Sequence, residues 1–204
     1  MQGVDLGWSE PPAERADAAR NRHHLLATAR EMLTELGADR ITMDALAERS
    51  GLGKGTVFRR FATRAGIFRA LLDDSERAFQ EKVLAGPPPL GPGAPPVRRL
   101  VAYGQARISF LIEHRDIARA ALHGRQPVPA GSQTPLSLAH VRMLLGKLDL
   151  ELTSVDLLAV QLTAALDAPL LLFLSAVEPR DAPCPTARQL SDSWQDLVER
   201  VCRR

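Results

Sequence analysis

The sequence predicts an all-α protein. Apolar residues recur at helical spacing along nearly the whole chain, and no stretch alternates convincingly in the manner of a strand. With 204 residues, 45% of them apolar, the chain is long enough to bury a core as one large domain or two small ones.

From about Ala18 to Leu36 the positions Leu25, Leu26, Ala29, Met32, Leu33 and Leu36 form one stripe, and Gly37 is placed to end that helix. Thr42 can cap a short second helix running through Arg49, with Asp44 near its positive end, and Gly51 allows the reversal that follows. A third short helix is expected from about Lys54 to Phe61. Thr63 can cap a longer fourth, whose stripe includes Ile67, Phe68, Leu71, Leu72, Phe79 and Val83. In residues 85–96 nine of twelve are proline or glycine, so no helix can persist there. That segment reads as a loop or flexible connector, although its composition also fits a polyproline ligand. Further helices are expected near 97–114, 116–123, 135–148, 154–176 and 186–202. Thr134 before Pro135 and Thr186 are placed as caps, and Pro169 should kink or divide the helix that contains it.

The formal charge of +2 is too small to name a partner, so its distribution matters more. Between Arg49 and Leu72 stand Arg49, Lys54, Arg59, Arg60, Arg64 and Arg69, with no acidic residue among them. Such a window is either an electrostatic footprint or an ordinary solvated face. Cys184 and Cys202 have no spaced partners and read as free thiols, so neither a disulfide framework nor a metal site is expected. The opening residues lack an apolar signal core, and the longest apolar run, around Ala168 to Leu174, is short for a membrane span. A soluble cytoplasmic protein is expected.

The stretch GLGKGTVFRR, residues 51–60, poses the functional question. A Walker phosphate loop needs lysine followed directly by serine or threonine, whose hydroxyl reaches the magnesium. Here Gly55 intervenes between Lys54 and Thr56, and the preceding element is a helix where a phosphate loop follows a strand. A helix-turn-helix accounts for more of the residues. Ala47 is small where two helices cross, Gly51 makes the turn, and Leu46, Leu52, Val57 and Phe61 point into a small core. Lys54, Thr56, Arg59 and Arg60 are then left facing outward, where long cations suit phosphates and the acceptor edge of guanine.

The run ITMDALAERSGLGKGTVFRRFATRAGIFRALL, preceded by ARNRHHLLATAREMLTELGA, resembles the N-terminal DNA-binding region of the TetR family of bacterial regulators over about residues 18–75. That resemblance implies a homodimer in which each third helix enters the major groove of an operator duplex. It also implies a larger helical region that holds a small-molecule inducer and the dimer interface. By the same resemblance Thr42, Lys54, Gly55, Thr56, Phe58, Arg59, Arg60 and Arg64 are DNA contacts or supports. Thr42, Lys54 and Arg64 suit phosphates, Thr56 and Arg59 suit base edges, and Arg60 suits either. Phe58 and Arg60 stand where many members carry tyrosine or histidine. Gly53 and Gly66 replace a usual serine and glutamate, which weakens two helix caps.

The organisation expected is a tail over 1–17, a DNA-binding domain over 18–62 and a ligand-binding and dimerisation domain over 63–204. Its C-terminal segments LTAALDAPLLLFLSAV and DSWQDLVERV are most similar to the subgroup described as SbtR-like. In the last helix Leu190, Trp194, Leu197 and Val201 form an apolar stripe, which fits either an internal core or a four-helix dimer interface. The family resemblance favours the dimer and adds Leu170 and Phe173 from the helix before. An inducer pocket is expected among Tyr103, Arg107, Phe110, His140, Met143 and Gln161, where polar groups interrupt apolar stretches. No zincin motif, nucleophile elbow or dinucleotide loop is present, so neither an enzyme nor a cofactor is expected. The expected function is repression relieved by an inducer.

Overall fold

The structure, a computed structural model, describes residues 12–122, 134–150, 154–175 and 185–203. Among these residues there are nine α-helices, one 3-10 turn and no strand. The chain forms two compact units, Met1–Leu71 and Leu72–Arg204. The division falls within the fourth helix, nine residues later than the expected boundary after residue 62. The reason is Arg64, which ties the first turn of that helix back to the N-terminal unit: Nε donates to the Ile41 carbonyl at 2.8 Å and a second nitrogen to that of Ala38 at 2.7 Å.

In the N-terminal unit, α1 spans Pro12–Leu36, so it begins inside the segment expected to be a tail. Leu25, Leu26, Ala29 and Met32 are buried, whereas Leu36, included in the expected stripe, is half exposed. After the 3-10 turn Ala38–Arg40 comes α2, Met43–Ser50. Thr42 caps it by accepting the Ala45 N–H at 3.0 Å. Gly51 then takes φ 68°, a left-handed conformation that a side chain would resist, and α3 follows as Lys54–Phe61. Leu46, Val57 and Phe61 are buried; Leu52 is partly so. The turn into α4, Arg64–Ala85, is tight. A Cβ at Gly66 would overlap the Phe61 carbonyl, so glycine is required there by close approach, beyond any weakening of a cap.

The C-terminal unit continues from α4 through α5 Pro96–Glu113, α6 Arg115–Ala121, α7 Thr134–Leu145, α8 Val155–Ser175 and α9 Ala187–Val201. The segment from Gly86 to Pro95 is a folded turn, with the Gly91 N–H bonded to the Pro87 carbonyl at 2.9 Å and Leu90 packed on the core. Thr186 caps α9 in a reciprocal box with Gln189, while the expected cap at Thr134 lies outside the described side chains. Cys202 is a free thiol, as expected, and Cys184 lies outside the described residues. Helix α8 runs through Pro169 undivided. Its window Val155–Leu174, with mean hydropathy 2.0, is long and apolar enough to cross a bilayer by length and composition, although no such segment was expected from the sequence.

The core of this unit is built from Phe79, Leu100, Tyr103, Leu144, Leu162 and Trp194 with their neighbours. α5 and α9 approach so closely that a Cβ at Gly104 would overlap the Trp194 indole, whose N–H donates to the Leu100 carbonyl at 3.1 Å. Gly104→Ala is expected to cost about 1–3 kcal/mol through this overpacking. Urea unfolding followed by circular dichroism checks it, and an unchanged midpoint would refute the close fit.

Candidate nucleic-acid interface

The outer face of α3 is set by its two inward residues. With Val57 and Phe61 buried, Lys54, Gly55, Phe58, Arg59 and Arg60 are exposed and Thr56 is half-buried. The cations are not equivalent. Lys54 pairs with Asp44 of α2 at 2.8 Å, and this hydrogen bond raises its pKa. Arg49 pairs with Glu35 at 2.6 Å. Arg64 is committed to two backbone carbonyls, and its guanidinium lies 4.9 Å from the Phe68 ring centroid. Arg64 therefore braces α4 against the chain before α2, with its side chain still 40% exposed.

Arg59 forms no ion pair among the described residues, and Arg60 donates to the Ala18 carbonyl of α1 at 2.8 Å. Those two carry the uncompensated charge of α3. Between them and Lys54, Phe58 is 51% exposed, an apolar surface suited to a thymine methyl or a sugar. Beyond its own stretch of helix, no heavy atom lies within 4 Å of where a Cβ at Gly55 would stand, so the fold does not itself require glycine there. Thr42 is exposed at the start of α2; its oxygen accepts from Ala45, which leaves the hydroxyl proton to donate outward.

Residues 25–71 match the model of the family described as bacterial regulatory proteins, tetR family. This segment of the N-terminal unit is of the TetR family. The segment is also 36% identical, over 59 residues, to a DNA-binding transcriptional repressor TetR of Mycobacteroides abscessus; the match takes in 29% of this chain and 31% of that repressor. Across the whole fold, the chain is similar to a TetR-family transcriptional regulator from Pectobacterium atrosepticum, with TM-score 0.68 and 18% identity over 93% of this chain and 98% of the other. It is similar as well to AibR in complex with isovaleryl coenzyme A and operator DNA, with TM-score 0.52 and 17% identity over 89% and 98% of the two chains. At these identities the likeness establishes a TetR-type fold through the C-terminal unit.

In that TetR-type C-terminal unit the expected pocket residues separate into two groups. Tyr103, Arg107, Phe110 and His140 come together around one polar cluster. The Tyr103 hydroxyl donates to Ser137 at 2.6 Å, the His140 ring lies 4.8 Å from the Tyr103 ring, and Arg107 donates to Glu76 at 2.6 Å while facing the Phe110 ring at 5.2 Å. Met143 and Gln161 are instead exposed and line nothing in this cluster. Glu76, Ser137 and Asp167 complete it and were missed, since each reads in sequence as an ordinary surface polar residue. Burial raises the Asp167 pKa, opposed in part by Arg107.

His140 Nε2 is buried without a partner among the described residues, and burial, with Arg99 and Lys147 adding to it, lowers the imidazole pKa to about 4. An unfolded histidine titrates near 6.5. Between those values the unfolded chain holds one more proton at this site, so acidification should erode stability by up to about 1.4 kcal/mol per pH unit from pH 6.5 down to about 4. Replacing His140 by phenylalanine should flatten that part of the pH–stability profile measured by urea titration. An identical slope in both proteins would refute the assignment.

The residues expected at a dimer interface are also redistributed. Trp194 is buried against α5, and Leu170, Phe173 and Leu190 line an apolar cleft facing Ile108 and Ile112 of α5. Trp194 and Phe173 are buried within one chain, whereas Leu170 and Leu190 are only partly covered by it. Leu197 is exposed and Val201 partly so. The exposed apolar face lies instead on α8, where Leu157, Val160, Leu171 and Leu172 are all at least 43% exposed. Helical spacing joins them through Ala164, Ala165 and Ala168, which are exposed on the same side.

Proposed function

We propose that the protein is a sequence-specific transcriptional regulator, a homodimeric repressor released from its operator by a small-molecule inducer. The observation that carries this reading is the outer face of α3, where Arg59 and Arg60 bring uncompensated charge beside the exposed Phe58 on a TetR-type recognition helix. A dimer presents two such helices to half-sites about one duplex turn apart. The exposed α8 face supports that assembly, because a second copy laid on Leu157, Val160, Leu171 and Leu172 removes them from water. AibR, solved with both an acyl coenzyme A and operator DNA, supports the coupling of a ligand to DNA in this fold. An inducer that binds the low-affinity state better shifts the population toward it, and a coupling of about 1–3 kcal/mol suffices for a switch.

Fluorescence anisotropy of the full chain on the duplex upstream of its own gene, against a scrambled duplex across a salt series, tests the reading. Preference for the native duplex that persists as salt rises supports a sequence-specific regulator. Equal, weak and salt-sensitive binding to both would leave a cationic surface without an operator there, and absence of binding at low salt would refute DNA recognition.

A further inference from the structure

We propose that the cleft between α5, α6 and α8 receives an amphipathic carboxylate, its alkyl chain against Ile108, Ile112, Leu166 and Leu170 and its head on Arg115 and Arg119. The proposal rests on the reading of the C-terminal unit as the ligand-binding part and names the class of ligand. The cleft wall is aliphatic and aromatic apart from one residue, Arg115. Its neighbour one turn on, Arg119, shares with it the ring of Phe173: the guanidinium carbons lie 5.0 and 4.3 Å from the ring centroid. Phe173 itself lines the cleft. Two like charges thus converge on one ring at the edge of an apolar space.

Neither guanidinium has a carboxylate partner among the described residues. One Arg119 nitrogen donates to the Phe173 carbonyl, and Nε is buried with no partner among the described residues. A buried guanidinium N–H without an acceptor is costly, and the arrangement is short of one planar, anionic, two-oxygen acceptor. A carboxylate supplies it. Exchanging the neutral carbonyl for a charged acceptor makes a bond roughly twice as strong and relieves the repulsion between the two arginines. Apart from Arg115 no polar side chain lines the cleft to satisfy a sugar or a nucleobase, so the rest of the ligand is hydrocarbon. In the present state the cleft has about 20 Å³ of free space, room for about one water, so the chain enters only as α6 and α8 part. Binding therefore selects an opened form of this unit, which is the differential interaction an inducer needs.

Isothermal titration of the full chain with decanoate, below its micellar concentration, tests the proposal beside decanol and decyltrimethylammonium. Saturable binding of decanoate is expected, with decanol weaker and the cation weaker still. Arg119→Gln should weaken decanoate binding by at least about tenfold while leaving decanol unchanged. Arg115→Gln serves as a second variant should the first fail to fold. Decanol binding as well as decanoate, retention of decanoate affinity by both variants, or no binding of any probe would each overturn the proposal. Operator affinity measured in the same samples separates the two readings. Decanoate bound through Arg119 without loss of operator affinity upholds the site and removes its inducer role. Operator release indifferent to both arginines upholds induction and removes this site.

Discussion

Replacing Arg107 by leucine should destabilise the protein by about 3–5 kcal/mol, more than any single apolar truncation at the edge of the same core. Arg107 and Glu76 are 3% and 7% exposed at the side chain and meet at 2.6 Å. The guanidinium also lies over the paired rings of Phe79 and Phe110, 5.7 and 5.2 Å from their centroids. Removing it leaves the Glu76 carboxylate in an apolar interior with no counter-charge, a penalty far larger than the net worth of the pair itself. The double variant Glu76→Leu with Arg107→Leu should therefore be more stable than Arg107→Leu alone. Urea denaturation of the four proteins forms a double-mutant cycle, and a coupling near zero would show that the pair is not the buried charge unit described.

This prediction marks where sequence reasoning stops. Arg107 could be placed on α5 and within an apolar stretch, yet its partner stands 31 residues earlier on α4 and nothing local connects them. The same limit governs the basic window. Its charge content is legible, but pairing of Lys54 with Asp44 and of Arg49 with Glu35 depends on how α1, α2 and α3 cross. The helix-turn-helix itself was readable because Thr42, Gly51, Val57 and Phe61 each answer a local demand: a cap, a left-handed turn, a buried face.

In the C-terminal unit, periodicity identified a buried stripe on α9 without saying what buries it. Trp194 accordingly fitted a dimer interface as well as it fits Gly104 of its own α5. On α8 the periodic signal was weak for a different reason. A helix apolar on nearly every side has little contrast between faces, so the exposed Leu157, Val160, Leu171 and Leu172 emerge only once α5 and α7 are seen to cover the opposite side.

Arg59→Ala combined with Arg60→Ala should weaken operator binding by about 100-fold or more, from two contacts each worth about 1–3 kcal/mol in base readout or phosphate pairing. Both side chains are exposed, so folding should be little changed; the single fixed bond lost is that from Arg60 to the Ala18 carbonyl. The two singles then divide the work. If Arg59 reads a base edge, Arg59→Ala relaxes preference at one base pair, whereas a phosphate contact by Arg60 lowers affinity for every duplex and reduces the salt slope by about one. Lys54→Ala should do less than either, because Asp44 already holds its charge and must give it up on binding. Gly55→Ala supplies the steric counterpart. Alanine fits the free fold without a clash and favours the helix, so a loss of operator affinity with unchanged or raised stability would place the α3 backbone hard against the duplex. Full operator affinity in the double arginine variant, measured by anisotropy with circular dichroism as the folding control, would move the reading face off α3.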